Sequence, residues 1–319
     1  MTDHNPIFAA MERWGDSPMA IATVISTWGS APRPRGSHML IHVDGRFEGS
    51  VSGGCVEGDV LDTAAQVIAD GTTRRQRYGV ANGAAWEVGL PCGGEIEVLV
   101  QSVHDGGFPR TLGAAILAAG IDGRELSVTT DLATGLSRID GGVANTVRDQ
   151  FVNRYAPAYR LLIVGAVQIA QALSIYARTL GIAATVIDPR GRFLTAERFP
   201  GVVLDDRWPD DAITALRPDG NTAIVTLSHD IKIDDPALHA ALLAPTGYIA
   251  ALGSTRSHAA RCERLRKAGH SAHQIDRIEG PAGLSIGALG AAEIALSIAS
   301  GMVRAFRCSA TETSIAMRA

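Results

Sequence analysis

The stretch from Arg160 to Gly165 reads RLLIVG, a short unbroken apolar run closed by glycine, and it constrains the fold more than any other segment. A strand that alternates apolar and polar residues keeps one face in water. A continuous apolar run needs both faces covered, as at the centre of a parallel sheet. Helical periodicity follows over residues 167–180, and ATVID at 184–188 reads as the next strand. AIVTL at 223–227 and YIAAL at 248–252 continue the series, with helical segments between them. This β–α alternation predicts a doubly wound parallel sheet.

The residues before it obey a different pattern. Strands are expected over 20–27 (AIATVIST), 38–43 (HMLIHV) and 47–51, with Asp44-Gly45 as a hairpin turn. Val60, Leu61, Ala64, Val67 and Ile68 fall at helical spacing and Gly71 supplies a stop. Residues 95–102 (EIEVLVQS) alternate as a strand. A short helix over 112–119 and a hairpin around Ala133-Thr134-Gly135 read as an appendage to this half. With 319 residues, more than one core comfortably serves, the fold class is α/β: an N-terminal α+β domain over 1–155 and a Rossmann-like parallel sheet over 156–319.

Composition narrows the function. The chain is 46% hydrophobic and 19% charged, as in soluble globular proteins, and its net charge of -4 gives a nucleic-acid partner no electrostatic support. The N-terminus lacks a basic segment followed by an apolar one, so no secretory signal is expected, and the cytoplasm is the expected location. Residues 286–303 are the most apolar C-terminal stretch, but Gly287, Gly290, Glu293 and Gly301 interrupt it, which suits a buried helix better than a membrane span. None of the four cysteines, Cys55, Cys92, Cys262 and Cys308, forms a C-x-x-C pair.

Two cysteines stand beside paired glycines. Ser50-Val51-Ser52-Gly53-Gly54-Cys55 runs into a helix, whose N-terminus exposes unpaired N–H groups suited to an anion and a field that favours thiolate. Gly53 and Gly54 would let a bulky ligand approach, and a soft thiolate there could meet a soft metal or a sulfur centre. Cys92 with Gly93 and Gly94, in LPCGG, repeats the setting before a strand. Packing under a tight turn accounts for either cysteine equally well. Arg33 and Arg35, in a Gly/Pro-rich loop, offer planar forks for phosphate or stand solvated. His38 and His42 share a strand face and read as solvated, with no metal assigned to them.

In the second half, a dinucleotide site would need G-x-G-x-x-G or G-x-G-x-x-A between strand and helix. The run here is Gly165-Ala166-Val167-Gln168-Ile169-Ala170, and Val167 crowds the position where pyrophosphate meets backbone. Asp188, 23 positions after Gly165, and Arg190 stand where a ribose-binding acid and its neighbour are expected. Ser228, His229 and Asp230 follow one strand and Gly253-Ser254-Thr255-Arg256 the next, where such sheets place ligands.

These stretches resemble the XdhC/CoxI family of xanthine dehydrogenase accessory proteins. GSAPRPRGSHML, GSVSGGCVEGDV and LPCGGEIEVLV carry the likeness in the first half. LLIVGA, VTLSHD, ALGSTRS and GPAGLSIGALGAAEIALSIAS carry it in the second, in one order along nearly the whole chain. The resemblance implies a chaperone that binds molybdenum cofactor, protects it, supports its sulfuration and delivers it to a xanthine dehydrogenase-type hydroxylase. It implies no turnover of a metabolite. Its cysteines match Cys55, the residue for a molybdenum contact, and Cys92. Its implied partners are the apo molybdenum hydroxylase large subunit and a cysteine desulfurase or other sulfur donor, and a homodimer is compatible with it. Where the commoner family turn has glycine this chain has Val167, which speaks against NAD(P). Two rivals stay open: an NAD(P)-dependent oxidoreductase, and an interaction scaffold that holds no cofactor.

Overall fold

The computed structural model describes residues 5–79, 94–140 and 149–316. The chain divides into two compact units, Met1–Pro157 and Ala158–Ala319.

The first unit is built on an antiparallel sheet. Its elements are α1 (Asn5–Arg13), β1 (Met19–Trp28), β2 (His38–His42), β3 (Phe47–Gly49), α2 (Glu57–Asp70), β4 (Arg74–Tyr78) and β5 (Glu95–Ser102). After them come α3 (Arg110–Ile121), β6 (Leu126–Asp131), β7 (Ser137–Ile139) and β8 (Gln150–Tyr155). The main sheet has the order β3-β2-β1-β5-β4, and a smaller one runs β7-β6-β8. The period of two decides how β1 is used. Ala20, Ala22 and Val24 face a core shared with α2, whereas Met19 and Ile21 face a second core shared with α1 and α3. Both faces of the sheet are thus covered, which is why β1 reads as apolar almost throughout.

The second unit contains β9 (Arg160–Val164), α4 (Gln168–Thr179), β10 (Ala183–Ile187), β11 (Val203–Asp205), α5 (Pro209–Leu216) and β12 (Thr222–Thr226). It continues with α6 (Ile231–Leu243), β13 (Tyr248–Ala251), α7 (Thr255–Lys267), α8 (Ala272–Ile275), β14 (Ile278–Glu279) and α9 (Ala291–Ala316). Its six strands form a sheet of order β11-β10-β9-β12-β13-β14, parallel at every pairing. Helices α5 to α8 enclose one core with Leu162, Val164 and Ile224, and α4 packs with α9. The expected Rossmann-like sheet is therefore present. Strand order reverses between β9 and β12, so the crevice beyond their carboxyl ends is the topological switch point where open α/β sheets hold ligands. Among the described residues no helix is long and apolar enough to cross a membrane.

Candidate functional site

The glycine-rich loop between β3 and α2 is organised by Glu57, a residue that nothing in the sequence pattern singles out. It opens α2 and is only 8% exposed. Its carboxylate turns back into the loop and accepts the N–H groups of Val51 (3.2 Å), Ser52 (2.9 Å), Gly53 (3.1 Å), Gly54 (2.8 Å) and Val56 (3.2 Å). The hydroxyls of Ser50, at 2.5 Å, and of Ser52 also donate to it. Burial alone would raise this carboxyl's pKa. The hydrogen bonds from Ser50, Ser52 and the backbone outweigh burial and bring it down to about 2. Ser52 completes the loop by accepting the N–H groups of Cys55 (2.9 Å) and Val56 (3.0 Å) on its hydroxyl oxygen.

This geometry corrects the expectation of free N–H groups beside Cys55. The donors that would have held a phosphate at the start of α2 already hold an internal carboxylate. What the loop offers outward is different. Gly53, Gly54 and Cys55 form an exposed tip, Val51 and Val56 anchor its two feet in the core, and the Cys55 thiol is free. Gly53 (φ +82°) and Gly54 (φ +120°) take left-handed conformations that glycine adopts easily, and the space above both is open. The free, exposed Cys55 thus follows two glycines beside which no other atom lies close.

The other first-unit residues divide. Arg33 is exposed and makes no ion pair among the described residues. Arg35 lies over the Phe151 ring at 4.5 Å and donates through Nε to the carbonyl of Ile25 at 3.0 Å, so part of its fork serves the fold. Gly94 sits where a Cβ would come within 2.7 Å of the Ser30 carbonyl oxygen, which makes it a packing glycine against the loop that carries Arg33. Ala31 of that loop packs on the same core as Val51 and Val56. Cys92 and Gly93, and with them the expected meeting of the two thiols, lie outside the described residues. His38 and His42 are buried, at 3% and 6% exposure, which corrects the expectation of a solvated face. His38 bonds the Thr23 hydroxyl (2.9 Å) and the Tyr155 hydroxyl (2.8 Å) and ties β2 to β8. Among the described residues no group of three histidine, cysteine, aspartate or glutamate side chains could hold a metal.

In the second unit, Ser228, His229 and Asp230 stand at the switch point. A Cβ on Gly165 (φ +104°) would lie 2.8 Å from the Ser228 nitrogen, so the turns after β9 and β12 touch only because residue 165 is glycine. Ser228 donates its hydroxyl to Asp234 at 2.6 Å, Asp230 caps α6 by accepting the Lys232 N–H at 2.9 Å, and His229 is exposed with φ +60°. Asp188 is fully buried. It accepts the Ala166 N–H at 2.7 Å and three bonds from Arg190 at 2.7 to 2.9 Å. Burial pushes its pKa up, but the Arg190 and Ala166 hydrogen bonds bring it below the usual carboxylate range. The acid expected to reach a ribose is thus engaged inside the turn.

These features define a class: a protein of two units, one antiparallel with an exposed thiol on a latched loop, the other Rossmann-like with its usual ribose acid turned inward. Residues 15–79 match the XdhC and CoxI family and residues 161–302 the XdhC Rossmann domain. The chain belongs to the XdhC/CoxI family. PaoD, a molybdenum cofactor insertion chaperone of Escherichia coli K12, is 29% identical over 93% of this chain and 86% of its own length. A probable xanthine dehydrogenase subunit of Bacillus subtilis 168 is 26% identical over 89% of this chain and 92% of its own. The crystal structure of a xanthine dehydrogenase from Bacillus halodurans is similar with a TM-score of 0.82 and 26% identity, over 97% of this chain and 96% of that one.

Proposed function

We propose that this protein binds molybdenum cofactor, shields it and supports its sulfuration, and delivers it to the apo large subunit of a xanthine dehydrogenase-type hydroxylase. One observation carries the reading: likeness to an insertion chaperone along nearly the whole length of both chains. The exposed Gly53-Gly54-Cys55 tip supports it, because a free thiol under open space suits a soft metal–sulfur centre. Cys55 would hold the metal end. Arg33 and the remaining part of the Arg35 fork, with Cys92, Gly93 and Gly94, are the first unit's further candidates for cofactor contact, and Ser228, His229 and Asp230 are candidates at the second unit's own switch point. A sulfur donor such as a cysteine desulfurase, and a second copy of the chain, are the further partners this role implies, and the cytoplasm its location. NAD(P) is not part of the proposal, since Val167 occupies the pyrophosphate position and Asp188 is held by Ala166 and Arg190.

The test loads wild-type and Cys55→Ala protein with released cofactor, then measures retained molybdenum and reconstitution of the apo hydroxylase. We expect roughly tenfold lower retention and a matching loss of reconstitution, since a soft ligand is removed while an exposed position leaves the fold untouched. Equal values would leave Cys55 as a surface residue and remove it from the mechanism.

A further inference from the structure

The face of the main sheet opposite α2 is covered along only part of its length. On β5, Ile96, Val98 and Val100 point into the core shared with α2, and Glu95, Glu97, Leu99 and Gln101 alternate with them onto the other face. There Leu99 packs with Ile25 and with Phe151 of β8, and Gln101 donates to the Ser137 hydroxyl of β7 at 2.9 Å, so the smaller sheet covers this end. The cover stops between Leu99 and Glu97. Beyond it a cleft of about 360 Å³ opens where β1, β4 and β5 meet, with Trp28, Arg77, Glu95 and Glu97 among its walls.

Trp28 is the last residue of β1 and stands directly across from Glu95. It is 71% exposed, more than any other aromatic side chain among the described residues. Its indole has no ring partner and no hydrogen bond among them. An aromatic side chain of this size ordinarily lies against something. The two acids beside it differ. Glu97 takes two hydrogen bonds from Arg75, at 2.6 and 3.0 Å. Glu95 accepts no side-chain hydrogen bond among the described residues, and its ion-pair partner Arg77 lies 3.8 Å away with a side chain mostly in water. A bare ring and a carboxylate with acceptors to spare therefore share one cleft, side by side on neighbouring strands.

We infer that this cleft binds a pterin ring, stacked on Trp28 and read by Glu95. The two oxygens of a carboxylate match two adjacent N–H donors, and a pterin offers that pair in its amino group and the neighbouring ring N–H. Its flat bicycle would cover the indole as nucleic-acid bases cover aromatic side chains. The choice of a pterin, the organic part of molybdenum cofactor, rests on the functional reading above; the stack and the carboxylate do not.

Calorimetric titration of the full chain with free pterin tests it, with lumazine and guanosine as comparison ligands. Lumazine has the same bicycle with an oxygen in place of the amino group, which turns one donor into an acceptor. Guanosine presents the same pair of donors as pterin. Trp28→Ala should weaken pterin binding about tenfold or more, and Trp28→Phe should restore most of that loss. The wild type should prefer pterin to lumazine, and Glu95→Gln should remove the preference, since an amide presents one donor and one acceptor. Both side chains reach solvent, and unchanged urea midpoints would show that the variants are folded. No saturable pterin binding, equal affinity in wild type and Trp28→Ala, or lumazine bound as well as pterin by the wild type overturns the site. Guanosine bound more tightly than pterin overturns the assignment to a pterin. Molybdenum cofactor retained by a chain that fails these tests leaves the functional reading standing without this cleft. Pterin bound by a chain that retains no cofactor leaves the cleft standing and overturns the functional reading.

Discussion

At the residue scale the first unit turns on Glu57. A carboxylate held at about 2 when folded, against 4.5 ordinarily, stabilises the fold above pH 4.5, and that contribution is lost as pH falls from 4.5 through 2. Each pKa unit is about 1.4 kcal/mol, so for a group this buried we expect Glu57→Gln to cost about 3 kcal/mol at pH 7. The difference from wild type should shrink steadily below pH 4.5. Urea midpoints of both proteins from pH 7 to 3 measure it, and a gap independent of pH would show that shape rather than charge holds the loop. The loop's composition was legible in the sequence, because two glycines before a thiol are conspicuous. Its partner was not. Glu57 reads as an ordinary acid in a first helical turn, and only the backward turn of the chain from Ser50 to Val56 brings the donors onto it.

At the scale of elements, the turns after β9 and β12 depend on each other. Replacing Gly165 with alanine puts a Cβ against the Ser228 backbone at a φ that L-residues rarely adopt. We expect a loss of about 1 to 3 kcal/mol, read as a lower denaturation midpoint, with a smaller loss for Gly53→Ala, where the surrounding space is open. Equal losses at the two positions would mean that the close approach does not matter. Apolar pattern identifies the central strands well: the alternation over 95–102 becomes β5, and β9, β10, β12 and β13 lie where the apolar runs are. The elements that escape notice lack that signal. β4 reads RRQRY and β14 has two residues, so hydrogen-bonded neighbours rather than their own side chains make them strands. The same applies to Asp188, whose spacing is that of a ribose ligand and whose bonds turn inward.

At the scale of the whole molecule, each unit encloses its own apolar core. Fragments 1–157 and 158–319, expressed separately, should each unfold cooperatively, with the near-ultraviolet dichroism of fixed packing. A fragment with helical signal but no cooperative transition would show that its core needs the other half. The change of pattern was legible in the sequence, where hairpin-like patterning gives way to β–α alternation at Tyr159. The membership of the family was visible because seven stretches recur in one order.

The latch at Glu57 has a consequence for the molecule when it carries nothing. The Gly53-Gly54-Cys55 tip keeps its backbone donors satisfied from within the loop, those of Gly53 and Gly54 by Glu57 and that of Cys55 by the Ser52 hydroxyl, so its shape does not depend on a guest. A guest that arrives finds a surface already formed, and one that leaves abandons no unsatisfied backbone behind it. If the proposed function holds, arrival and departure at this tip demand no refolding, and the direction of traffic is decided by whichever destination holds the guest more tightly.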